Sequence, residues 1–158
     1  MSREERVWAG ITVIRRNQVL TQMLDEAAAE WLGINLTDGR AIDVIDQHGR
    51  ITAGDLAREL RLSTGAVTTL VDRLERAGYA RRLADPEDRR RVLIEVTPVV
   101  NELSEQIYGT AADAIAWAAE FSDEELETLE RFHARSTEWL EERLRLVENL
   151  PPRGPTRR

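Results

Sequence analysis

The sequence predicts a mainly α fold: a chain of 158 residues, almost all helix, with one small β-sheet. Three observations predict it. Apolar residues recur at three- and four-residue steps over two long terminal segments. Two short, polar-capped helices meet at a tight turn in the middle. A strand rich in β-branched residues then follows an arginine-bearing loop. The 42% apolar content supports a real core, and the length suits one domain.

Residues 3–32 read as one helix, with Val7, Ile11, Ile14, Leu20, Met23, Leu24, Ala27, Ala28 and Trp31 on its stripe and Gly33 as its stop. Thr37 is the expected N-cap of a second helix, with Ala41, Val44 and Ile45 inward, and His48-Gly49 ends it. Ile51 reads as a brief edge strand. Thr52-Ala-Gly-Asp55 caps a short helix that points Leu56, Ala57 and Leu60 inward. Arg61-Leu62 is the turn, Ser63 caps the next helix, and that helix runs from Thr64 to Ala77 before Gly78. Two short helices about such a turn form a helix-turn-helix.

Tyr79–Leu83 and residues 91–96 read as strands, the second with Val92, Ile94 and Val96 on one face. The charged loop Ala84-Asp-Pro-Glu-Asp-Arg-Arg90 joins them, and a hairpin in this position is a wing. Pro98 opens a further helix with Val100, Leu103, Ile107, Ala111, Ala114 and Ala118 on one continuous stripe. Ser122-Asp-Glu-Glu125 boxes the start of a last helix reaching Glu148, with Leu126, Leu129, His133, Leu140, Leu144 and Val147 near one face. The whole is an α+β winged helix-turn-helix with a two- or three-stranded wing sheet. Residues 1–35 and 98–150 are expected to form dimerisation helices, 36–97 the winged lobe, and 151–158 a flexible tail.

The formal charge is −7, yet it is unevenly spread, and all 22 cations are arginine. Residues 50–97 carry ten Arg against eight acids, whereas 98–148 carry four against thirteen. Local potential decides where a polyanion docks. No cysteine is present, which excludes disulfides, thiolate zinc sites and thiol redox sensing. His48 and His133 lie far apart in sequence, so no metal site is expected, and no cofactor. No apolar run approaches a membrane span, and the acidic start carries no signal-peptide core, which together predict a cytoplasmic protein. No phosphate loop, metal cluster or catalytic triad pattern occurs, so an enzyme is not expected.

A helix of about 30 residues spans about 45 Å. A compact domain of this size is only about 40 Å across. One small core cannot cover the stripes of both terminal helices, which predicts a two-fold homodimer built from them.

On a helical wheel Val67, Leu70, Val71 and Leu74 face the core. Gly65, Thr68, Thr69, Asp72 and Arg76 lie opposite, with Arg73 at the flank. Small and polar side chains on an exposed helix are what base-edge reading in the major groove requires. Gly65 allows close backbone approach, and Ser63 and Thr64 sit at the positive helix end, where phosphate binds. Asp72 repels phosphate; it either takes a cytosine amino group or pairs with Arg76. Arg89, Arg90 and Arg91 supply flat, permanent charges suited to a minor groove. Arg82, like Arg81 at the wing base, is a phosphate contact or a local ion-pair partner.

The stretch Asp85-Pro-Glu-Asp-Arg-Arg-Arg-Val-Leu-Ile-Glu-Val-Thr97 resembles the wing signature of the MarR family of winged-helix regulators. Leu60–Gly78 is similar to that family's recognition helix, and the resemblance covers about residues 5–148. It implies a triangular homodimer on a pseudopalindromic operator in double-stranded DNA, acting as a repressor. It also implies Asp88 as the acid that orients a wing arginine and Arg90 as the minor-groove arginine. A small aromatic or anionic effector between lobe and dimer helices is implied as well, for which Trp8, Ile11, Arg15, Trp31 and Tyr108 are the candidate residues. The alternative is a winged-helix protein-interaction module without specific DNA binding, which would not need three wing arginines.

Overall fold

The computed structural model describes residues 1–88 and 91–151. Its order is α1 (Arg3–Leu32), α2 (Leu36–His48), β1 (Ile51–Thr52), α3 (Ala53–Leu60), α4 (Thr64–Ala77), β2 (Ala80–Ala84), β3 (Val92–Val96), α5 (Pro98–Tyr108), α6 (Ala111–Ala118) and α7 (Asp123–Glu148). The chain divides into two compact units, Met1–Tyr108 and Gly109 onward.

Local capping sets most boundaries. Ser2 and Glu5 form a capping box on α1, and Gly33 closes it at φ 69°. Ser63 Oγ accepts the Ala66 N–H to start α4, and Gly78 ends it at φ 81°. Two boundaries differ from expectation. Asn35, not Thr37, caps α2, its Oδ1 accepting the Asp38 N–H at 2.9 Å. The single helix expected from Pro98 to Ala118 is two, because Gly109 turns left-handed at φ 86° and Thr110 with Asp113 starts a fresh capping box.

In the first unit β1, β3 and β2 lie side by side in that order, all antiparallel. Ile51 pairs with Ile94, and the wing arms run in register from Ala80↔Val96 to Ala84↔Val92. Tyr79 and Arg91 stand just outside the strands expected to include them. The core lies beneath this sheet, where Ile45 of α2, Leu56 of α3, Val67, Leu70, Val71 and Leu74 of α4 and Ile94 of β3 are sealed from solvent. The packed face of α4 is therefore the one its 3.6-residue period assigned to the core.

Glu95 of β3 ties the sheet to the loop after α2. Arg81 Nε donates to one of its oxygens at 2.7 Å and Arg50 Nε to the other at 2.8 Å. Hydrogen bonds from Arg81, then Arg50, hold its carboxyl below the ordinary value of 4.5. A depressed folded value stabilises above the unfolded value and is lost as pH falls through the folded one. Glu95→Gln is thus expected to flatten the acid limb of the stability curve below pH 4.5, as followed by urea melts at stepped pH; an unchanged limb refutes the tie.

Most of α1 lies open in this chain. Its exposed apolar side chains include Trp8, Met23 and Trp31, and only Ala28 and Ala29 are buried. In the second unit no described residue of α6 or α7 is buried, and Trp117, Phe132, Trp139, Leu144 and Val147 are exposed. No helix among the described residues is long and apolar enough to cross a membrane.

Candidate functional site

Helix α4 presents Ser63, Thr64, Gly65, Thr68, Thr69, Asp72 and Arg76 on its exposed side. The Thr68 and Thr69 hydroxyls donate back to the carbonyls of Thr64 (2.9 Å) and Gly65 (3.1 Å). That spends their donors within the helix and leaves methyl groups and oxygen lone pairs for a partner. A Cβ added at Gly65 meets nothing within 4 Å, so the surface there is open.

The arginines near this face are mostly engaged. Arg82 reaches from β2 onto α4, where it pairs with Asp72 at 2.8 Å and with Glu75. Its backbone N–H also donates to Glu75 Oε1 at 2.9 Å. Arg82 is thus in a local ion pair in this chain. Asp72 pairs with Arg82 rather than with Arg76, whose Nε donates to the Asp72 carbonyl at 3.0 Å. This sets a cation against the acid on that exposed face.

Arg73 is held more firmly. Its Nε and Nη2 both donate to the Asp38 carboxylate, at 2.9 and 2.5 Å. The Asp38 side chain is 3% exposed and that of Arg73 40%. The fork clamps the start of α2 to the flank of α4. The sequence pattern gave no sign of this pair, which joins positions 35 apart.

At the wing, Asp85 holds the turn through Glu87 and Arg91. Asp85 is buried and its Oδ1 accepts the Glu87 N–H at 2.9 Å, closing an Asx turn around Pro86. Its backbone N–H donates to the Arg91 carbonyl at 3.1 Å, and its Oδ2 lies 3.7 Å from Arg91 Nε. Asp88 is exposed, and its carbonyl accepts the Arg91 N–H at 2.9 Å. The Asp-Pro pair was the available signal for Asp85. Arg89 and Arg90 lie outside the described residues, as does the tail beyond Pro151.

A partly open cavity of about 80 Å³ lies within the first unit, walled by α1, α2, α5 and Tyr79. Of the five effector candidates Tyr108 lines it; Trp8, Ile11, Arg15 and Trp31 do not. Its apolar wall includes Ala28, Ala29, Ile42 and Val100, all buried. Its charged groups are Asp25, Arg40 and Asp43. Tyr108 Oη donates to Asp25 Oδ1 at 3.2 Å. Partial burial, then the charges of Asp25 and Asp46, hold the Asp43 carboxyl above its usual range. Burial, then Asp25 and Asp43, raise the Tyr108 phenol.

The sequence profile of the MarR family matches residues 34–92. The uncharacterized HTH-type transcriptional regulator YcgE of Bacillus subtilis is 36% identical over 144 residues, spanning 90% of this chain and 94% of its own. Among solved structures, a MepR mutant from S. aureus superimposes with a TM-score of 0.66 at 21% identity, covering 82% of this chain and 95% of its own. FabT of Streptococcus pneumoniae in complex with DNA gives 0.59 at 24%, covering 88% of this chain and 98% of its own.

Proposed function

The chain belongs to the MarR family of helix-turn-helix transcriptional regulators, and from that premise we propose that it is a homodimeric, ligand-responsive repressor of a pseudopalindromic operator. The observation that carries this reading is the two-sided recognition helix. One side of α4 is locked into the lobe core, and the other offers Thr64, Gly65, Thr68, Thr69 and Arg76 with its acid Asp72 already taken by Arg82. Threonine methyl groups suit contact with the thymine methyl in the major groove. Ser63 and Thr64 sit where a phosphate meets a helix N-terminus. Arg89, Arg90 and Arg91, with Asp88 before them in the sequence, are the wing contact, and Arg73 and Arg82 brace the helix from either flank. The repressor belongs in the cytoplasm, on the nucleoid when bound.

The dimer is supported by what each unit leaves uncovered. Trp8, Met23 and Trp31 of α1, and Trp139, Leu144 and Val147 of α7, expose large apolar surface to solvent in the single chain, and a second copy buries such surface. Two recognition helices about 34 Å apart then enter successive major grooves and exclude polymerase. An effector that alters their spacing releases the operator.

The test is fluorescence anisotropy on duplex from upstream of the protein's own gene, beside a scrambled duplex, over a salt series. Specific binding about 10³-fold above the scrambled duplex is expected, with light scattering at twice the 18.0 kDa chain mass. Equal, weak binding to every upstream duplex tried, or a mass of one chain, sinks this reading.

A further inference from the structure

We propose that the cavity between α1, α2 and α5 takes an organic cation, an ammonium or amidinium group on an aromatic or branched apolar body. This rests on the reading of the protein as a ligand-responsive regulator, and of the aromatic or anionic effector that family resemblance implied it keeps the aromatic body and reverses the charge. The apolar body has a wall to lie on, since Ala28, Ile42 and Val100 are buried there. The charge has two carboxylates to meet, Asp25 from α1 and Asp43 from α2, against the single guanidinium of Arg40.

The Tyr108 hydroxyl donates to Asp25, which orients that carboxylate and leaves the phenol ring as a further surface for a cation. Burial first, and then the neighbouring carboxylates, raise the proton affinities of Asp43 and Tyr108, with Asp46 on the next turn of α2 adding to the negative charge at Asp43. Two like charges brought together beside apolar side chains are held at a cost, and a cation between them relieves it. An anion meets the reverse, with two repulsions for one attraction.

The probes are phenyltrimethylammonium, its uncharged isostere tert-butylbenzene, and benzoate. The first two share a shape and differ only in charge. Binding to the full chain is read by intrinsic fluorescence and by melting-temperature shift. The cation is expected to bind roughly tenfold more tightly than the isostere, with benzoate weakest. Asp25→Asn with Asp43→Asn is expected to bring cation and isostere within about twofold of each other. The ligand series on the unaltered protein decides the matter even where the double variant melts early. Equal binding of cation and isostere, tighter binding of benzoate, or no binding of any probe overturns the proposal. Repeating the titrations against operator duplex separates the two readings. Cation binding that leaves DNA affinity unchanged supports the cavity assignment and overturns ligand-responsive repression. Loss of DNA affinity with benzoate alone supports ligand response and overturns the cation.

Discussion

Arg73→Ala is expected to destabilise the first unit by about 3 kcal/mol, more than Asp38→Ala, although Asp38 is the more buried partner. Removing Arg73 strands a carboxylate that is 3% exposed, whereas removing Asp38 returns a guanidinium already 40% exposed to water. The stranded acid is not wholly without relief. It sits in the first turn of α2, where the helix dipole favours it, and Asn35 Nδ2 donates to it at 3.0 Å. That places the cost at the low end of the range for broken buried pairs. Asp38→Ala is expected to cost about 1–2 kcal/mol, and the double variant about the same as Asp38→Ala alone. Urea midpoints of the three variants give the cycle, and a larger loss for Asp38→Ala than for Arg73→Ala refutes it. The same variant separates two roles for Arg73 on DNA. As a phosphate contact it carries about one unit of the salt slope; as a strut it lowers affinity and leaves the slope alone.

What the sequence made legible was the local part of the fold. The bounds of α1, α3, α4 and α7 follow from caps that act within four residues, such as Ser2 with Glu5 and Ser122 with Glu125. The two faces of α4 were legible for the same reason, because a helix repeats its burial every 3.6 residues. The break at Gly109 was signalled too, by a glycine followed by Thr-Ala-Ala-Asp. Val100, Leu103 and Ile107 before it and the alanines after it kept the apolar stripe continuous and hid it.

Long-range charge pairing was not legible. Counting arginines in the lobe treats each as available to DNA, but Arg50, Arg58, Arg73, Arg81, Arg82 and Arg91 all carry ion pairs to acids. Arg50 meets Glu95 across 45 positions and Tyr108 meets Asp25 across 83. No periodicity encodes such meetings. They depend on which elements the core brings together, so the surplus of positive charge overstates the free charge of the surface. The cavity eluded the sequence reading similarly. Tryptophans on α1 were natural candidates for its walls, yet small residues, Ala28 and Ala29, are what allow a space beside that helix.

Leu70→Ala and Thr69→Ala, neighbours in sequence on α4, are expected to fail in different ways. Leu70 is 1% exposed amid Val67, Leu74 and Ile94, so truncating it removes buried surface and leaves a cavity that close packing cannot readily fill. The expected loss is about 3 kcal/mol, a large share of the stability of a marginal domain. Thr69 is exposed, and its hydroxyl bonds back to the carbonyl of Gly65, an arrangement that adds little to the helix. Thr69→Ala is therefore expected to stay within about 0.5 kcal/mol in stability. On operator DNA the order reverses. Well below its melting point Leu70→Ala keeps near-normal affinity, because folded molecules still present the same outer face. Thr69→Ala loses roughly three- to tenfold at any temperature, as expected for one weakened base contact. Chemical melts and anisotropy on the same two samples provide the comparison. Should Thr69→Ala bind operator as the unaltered protein does, and Thr68→Ala likewise, the exposed side of α4 is not the reading surface, whatever its composition suggests.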